Sequence, residues 1–161
     1  MQNLKSALTI ELSGYGSNCE PSCALSCPNN WDRGGDHCYY LSETRMKWLN
    51  AEDHCRKIGG HLASITNERI HNFMKNKLNN EHGGDNKVRW IGGRRKPGTN
   101  TFVWTDCRSW GYNQGWGNGR PDDNQDCVLY NFERNDQFWD DAACTNAYKF
   151  VCSKPICSGK L

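Results

Sequence analysis

Two acidic pairs, Asp122-Asp123 and Asp140-Asp141, stand out in this chain as groups able to do chemistry. Paired carboxylates can flank a glycosidic bond as acid and base, or supply the hard oxygen donors that hold calcium. Arg120 immediately precedes the first pair, in Arg120-Pro121-Asp122. Its guanidinium is a rigid fork of N–H donors with no acceptor, so it suits a carbonyl or paired hydroxyls and cannot ligate a metal. No nucleophile elbow or P-loop accompanies these residues, and an enzyme is not expected. The five histidines, His37, His54, His61, His71 and His82, lack zinc-ligand spacing such as HExxH. The other reactive side chains are ten cysteines. Cys19, Cys23 and Cys27 recur at four-residue steps without the second pair that a structural metal site needs, and read as disulfide partners. Bridges in such number belong to an oxidising compartment, so the chain is expected to be secreted.

Arg120 and the first acidic pair lie in a Gly/Asn/Asp-rich stretch, residues 108–126, with no regular period. A loop this long inside a compact domain is usually functional. Before it, CPNNWDRGGDHCYYL (27–41) combines turn residues with an aromatic strand and reads as a hairpin. Trp48, Ala51, Cys55 and Ile58 recur at helical steps, predicting a helix over Glu43–Lys57 that Gly59-Gly60 ends. Thr66 or Asn67 caps a second helix whose inner face is Ile70, Phe73, Met74 and Leu78. VRWIGG and TFVWTD are strand-like runs joined by the turn RRKPGTN, whose Arg94-Arg95-Lys96 reads as a solvated hairpin tip. CVLYNF, QFWDD and KFVCSK are short closing strands, and Trp90, Trp104 and Trp139 within these runs are expected in the core. The order of elements predicts an α+β fold.

A length of 161 residues fits one domain. The net charge of +2 gives no field that suggests a nucleic-acid partner, and no apolar run approaches the ~20 residues that span a bilayer. Residues 1–16 carry no continuous apolar segment of the signal-peptide kind, so the chain reads as a mature secreted form.

Taken in order, CPNNW…CYYL, AEDHCRKIGGHLASI, WIGG, VWTD, RPD, DCVLYN, WDD…C and FVC resemble the C-type lectin-like domain over residues 27–154. The resemblance implies a double-loop domain with two helices, short antiparallel strands and a long ligand-binding loop. It leaves residues 1–26 as an N-terminal extension and 155–161 as a tail. It also implies the pairs Cys27 with Cys38, Cys55 with Cys152 and Cys127 with Cys144. Cys19, Cys23, Cys107 and Cys157 remain; one bridge could tie the termini and another could join two chains in a homo- or heterodimer. Cys107 stands where the family often has Gly.

Calcium-dependent relatives carry Glu-Pro-Asn or Gln-Pro-Asp in the long loop, a Glu two positions before the next Cys, and Asn-Asp after a Trp. This chain departs with Arg120, Gln125 and Asp140. The departure implies no calcium cofactor, with Arg120 taking the cation's place beside Asp122 and Asp140. An acetamido group offers a carbonyl for the guanidinium, an N–H for a carboxylate and a methyl for an aromatic face. The RPD triplet resembles that of calcium-independent bivalve lectins of the Saxidomus type, which bind GlcNAc and GalNAc. The expected sugar-binding set is Arg120, Asp122, Gln125, Asn131, Asp140, Asp141 and Trp116, with Tyr112 and Tyr130 as further aromatic candidates. Asp140 and Asp141 read alternatively as braces of the loop. The expected partners are N-acetylated sugars on glycans or microbial surfaces, with agglutination or innate defence through multivalency. A calcium-dependent galactose or GalNAc lectin, or a member binding protein, ice or mineral, is the alternative.

Overall fold

The structure, a computed structural model, describes residues 22–79, 88–122, 124–131 and 138–158. The sheet is assembled on β9 (Ala147–Pro155). β1 (Asp32–Gly34) forms a hairpin with β2 (His37–Leu41), and β2 lies antiparallel against β9. The two-residue strands β3 (Met46–Lys47) and β4 (His61–Leu62) also pair with β9. On its other side β9 meets β5 (Val88–Arg95) in parallel, so the sheet is mixed where only antiparallel strands were expected. β5 pairs with β6 (Phe102–Trp104) and with β7 (Cys127–Asn131), and β7 with β8 (Phe138–Ala142).

The first helix, α1 (Trp48–Lys57), begins five residues later than its predicted start at Glu43. Met46 and Lys47 are drawn into the sheet by Tyr148 and Ala147, and Lys47 is extended, at φ −61° and ψ 152°. Trp48, Ala51 and Cys55 form the buried stripe that periodicity predicts. Asn67, rather than Thr66, caps α2 (Glu68–Asn79): its Oδ1 accepts the Ile70 N–H at 3.0 Å. Ile70, Met74 and Leu78 then point inward.

Period-two alternation divides the interior. Tyr130, Val128 and Trp139 face a core shared with α2 and Trp104, whereas Cys127 and Leu129 face one shared with Trp48 and Trp90. Trp90, Trp104 and Trp139 are all buried, as expected.

Cys27–Cys38, Cys55–Cys152 and Cys127–Cys144 are bonded as the resemblance implies, and Cys23–Cys157 ties the termini. Each such bridge stabilises a domain by roughly 2–4 kcal/mol. Next to Cys23, Ala24 and Ile156 form a parallel bridge, so the two ends run side by side. Cys107 is also disulfide-bonded and adopts φ 61°, a conformation that favours glycine. Among the described residues no free thiol is left for a bridge to a second chain. Cys19 lies outside the described residues.

Candidate functional site

The long loop is anchored on an aromatic cluster before it reaches Arg120. Trp116 bridges to Trp139, and its ring lies 5.0 Å from Phe102, 5.7 Å from Trp139 and 5.9 Å from Trp110, centroid to centroid. The preceding Gly115 sits so close to the Trp139 indole that a Cβ there would come within 2.2 Å of it. Only glycine fits this approach. Gly117 then donates to the Trp139 carbonyl at 3.0 Å, and the Arg120 N–H returns to the Gly117 carbonyl at 3.0 Å. Gly119 closes that turn at φ 74°, and the Arg120–Pro121 peptide is cis.

This path sets the Arg120 side chain between two carboxylates. Its Nη1 donates to Asp122 Oδ2 at 2.5 Å, and its Nε lies 3.1 Å from Asp140 Oδ1 as an ion-pair contact without hydrogen-bond alignment. The three side chains stay reachable from solvent, at 24% exposure for Arg120, 47% for Asp122 and 20% for Asp140. Burial raises the Asp140 carboxyl above its usual range, and Arg120 opposes that rise; Asp141 and Asp122 add to it.

Asp141 takes a different position. Its side chain is fully enclosed, Oδ1 accepting the Asp122 N–H at 3.1 Å and Oδ2 the Gln125 N–H at 3.3 Å. The brace alternative holds for Asp141. Gln125 enters through its backbone as well: its carbonyl accepts from Arg95 Nε at 3.3 Å and Nη2 at 3.0 Å. Arg95 was expected at a solvated tip, but β5 extends through it. Its guanidinium covers the Phe102 ring at 4.7 Å and lies 3.2 Å from Asp126 and 4.0 Å from Asp141. Arg95 is the site residue that sequence reasoning missed. Nothing in RRKPGTN marks its first arginines as part of a strand, because the signal is the pairing partner and not the local pattern.

Asn131 ends β7 on the same sheet face as Asp140, one pleat along. Tyr130 is fully buried, with its hydroxyl 3.5 Å from His71 Nε2, so it cannot receive a ligand as expected. Tyr112 is half-buried against Trp139 and His71, and Trp116 is half-buried in the aromatic cluster. The structure therefore brings together Arg120, Asp122 and Asp140 at the surface. Beneath them lie Asp141 and the Gln125 backbone, and Asn131 and Trp116 stand to the side. Among the described residues no group of three or more His, Cys, Asp or Glu side chains is placed to hold a metal ion. No helix among them is long and apolar enough to cross a membrane.

Residues 44–154 match the family described as the lectin C-type domain. The galactose-specific lectin nattectin of Thalassophryne nattereri is 34% identical over 146 residues, covering 89% of this chain and 89% of its own. The alpha-N-acetylgalactosamine-specific lectin of Patiria pectinifera is 30% identical over 154 residues, covering 89% and 91%. Among solved structures, a calcium-independent type II antifreeze protein superposes with a TM-score of 0.71 at 31% identity, over 82% of this chain and 96% of that one.

Proposed function

The chain belongs to the C-type lectin domain family, and from that premise we propose that it is a secreted, sugar-binding member that works without calcium. Its ligands in this reading are N-acetylhexosamines, held by Arg120 in place of a metal. The observation that carries the reading is Arg120 itself, fixed by Asp122 and Asp140 at the solvent-reachable end of the long loop. Two carboxylates orient the guanidinium, so little rotamer entropy is lost when it binds an acceptor. Donors that remain are directed at a sugar carbonyl or hydroxyl pair. The outer lone pairs of Asp122 and Asp140 accept from an acetamido N–H or a hydroxyl.

Calcium suits this donor set poorly. It takes about six to eight oxygen ligands. Both Asp141 oxygens already accept backbone N–H groups, and Asp122 and Asp140 both face the guanidinium. A divalent ion about 4 Å from that charge would be repelled by about 8 kcal/mol at an effective dielectric near 20. The names of the two lectin relatives, one galactose-specific and one specific for N-acetylgalactosamine, favour GalNAc within the ligand class. Single shallow sites bind sugar weakly, so agglutination of cells or microbes requires several copies acting together.

The test is retention on immobilised GalNAc and GlcNAc, and on a glycan array, with and without EDTA. Retention that EDTA leaves unchanged and Arg120→Ala abolishes is expected. Loss of retention with EDTA would return the chain to calcium-dependent binding. An array with no bound glycan in either condition would point to a protein- or ice-binding role.

A further inference from the structure

The turn that delivers Arg120 contains the sequence's one Asn-Gly step, Asn118-Gly119. It spans residues 117–120 and is closed by the Arg120 N–H on the Gly117 carbonyl at 3.0 Å. Gly119 takes φ 74° while Asn118 keeps a negative φ, which is the type II pattern. Both residues are exposed. A Cβ added at Gly119 would meet nothing within 4 Å. Among the described residues nothing hydrogen-bonds the Asn118 amide or the Gly119 N–H. The turn is held only at its two ends, by Gly117 on the Trp139 carbonyl and by the Arg120 side chain between Asp122 and Asp140.

Other exposed asparagines near this loop are restrained. Asn100 Oδ1 accepts from Arg95 Nη1 at 3.4 Å, and the N–H that follows it, of Thr101, donates to Thr99 Oγ1 at 3.2 Å. Asn113 Oδ1 accepts from Trp110 Nε1 at 3.1 Å. Neither is followed by glycine. Asn118 has no such restraint, and its side-chain carbon can close on the Gly119 nitrogen because glycine has no Cβ to block the approach.

We propose that Asn118 is a site of spontaneous covalent modification that withdraws Arg120 from its place between Asp122 and Asp140. The Gly119 nitrogen gives its proton to hydroxide and bonds to Asn118 Cγ. The Cγ–Nδ2 bond breaks, and the leaving nitrogen takes a proton from water to depart as ammonia. Water then opens the five-membered succinimide at either carbonyl, giving aspartate or isoaspartate. Nothing is oxidised or reduced. Either product adds a negative charge two residues before Arg120, so a third carboxylate competes for the guanidinium. Isoaspartate also adds one atom to the main chain inside the turn, which breaks its closure. The conversion needs no ligand; its effect on sugar binding rests on the metal-free reading above.

The test ages the full chain in mildly alkaline buffer, folded and in urea, and maps it by peptide mass spectrometry with isoaspartate detection. In the folded chain Asn118 should convert at least about tenfold faster than Asn100 or Asn113, a barrier difference of about 1.4 kcal/mol. Asn118→Gln should not convert, because its longer side chain would have to close a six-membered ring. Carboxyl NMR should show Asp140 titrating higher in the aged chain than in the fresh one, as the opposing pull of Arg120 is lost. Aged Asn118→Gln should show no such move. Retention on immobilised GalNAc should fall with age in the unaltered chain and persist in Asn118→Gln. Conversion in urea alone, or equal rates at the three asparagines, overturns the proposal, as does an Asp140 titration that ageing leaves in place. A fresh chain that is not retained sinks the sugar reading instead, and the mass and titration readouts still decide the modification.

Discussion

Arg95 and Arg120 approach the consecutive residues Asp141 and Asp140 at the same loop, yet their surroundings differ. The Arg95 side chain is 9% exposed, and that of Asp141 is fully enclosed. Together they hold the backbone at Asp122, Gln125 and Asp126. Arg120 and Asp140 lie on the rim, and their pairing fixes side chains rather than backbone. The division follows from the strand. β8 places Asp141 opposite Val128 and Asp140 opposite Leu129, and successive side chains point to opposite faces. One pair of adjacent carboxylates is thereby split into an enclosed, structural member and a solvent-reachable one. A buried ion pair is costly to break because each partner leaves the other without compensation, whereas a rim pair is screened by water.

Removing Asp141 tests the enclosed half of that comparison and has the largest expected effect. Asp141→Ala leaves two backbone N–H groups without an acceptor and removes the enclosed carboxylate beside Arg95, whose contacts to Gln125 and Asp126 remain, and should lower stability by about 3–5 kcal/mol in urea denaturation. Asp141→Asn keeps one acceptor oxygen and should lose less, about 1–3 kcal/mol. Arg95→Gln comes next. It gives up the contacts to the Gln125 carbonyl and the packing on Phe102, for about 1–3 kcal/mol by the same measurement. If these variants unfold no earlier than the unaltered chain, the loop is not held from beneath and the distinction between the two arginines fails.

The two halves were not equally legible in the sequence. Arg120-Pro121-Asp122 is a local motif, and Asp140-Asp141 follows a tryptophan, so both could be recognised from neighbours along the chain. Arg95 could not, since its partners are 30 and 46 residues away in sequence and only strand register brings them together. Register also decided the fate of Tyr130, whose place opposite Trp139 turns it into the core. The helices were visible from their apolar period, but the start of α1 was set by β3 pairing with β9, a contact that helical periodicity does not encode. The parallel pairing of β5 with β9 was hidden for the same reason. Glu52 is a related case: helical periodicity alone does not explain the burial of a carboxylate there, which follows from His61, Arg56 and the Leu62 N–H converging on it.

At the rim the expected effects on stability are small. Arg120→Ala should change it by no more than about 1 kcal/mol, because the pair it breaks is partly exposed. Its effect should fall on sugar retention instead. Asp141→Ala is expected to lower both stability and retention. A large loss of stability in Arg120→Ala would make the rim pair structural and erase the contrast.

The finest test lies in the titration of Asp140, followed through its carboxyl carbon by NMR. Burial raises its pKa from the usual 3.8, while Arg120 pulls in the opposite direction. Arg120→Gln removes the opposing charge, so the Asp140 titration should move further upward. The sign for stability follows from linkage: a folded-state pKa above the unfolded value means that the native protein binds the proton more tightly. This group therefore favours folding fully below the unfolded value, and the contribution is lost as pH rises through the folded one. In Arg120→Gln that loss should extend to a higher pH than in the unaltered chain, because only the folded-state value moves. An Asp140 titration that does not respond to Arg120→Gln would mean the guanidinium does not sit against this carboxylate. The rim would then lack the fixed cation on which the proposed metal-free sugar binding depends, even if the enclosed Arg95–Asp141 brace behaves as expected.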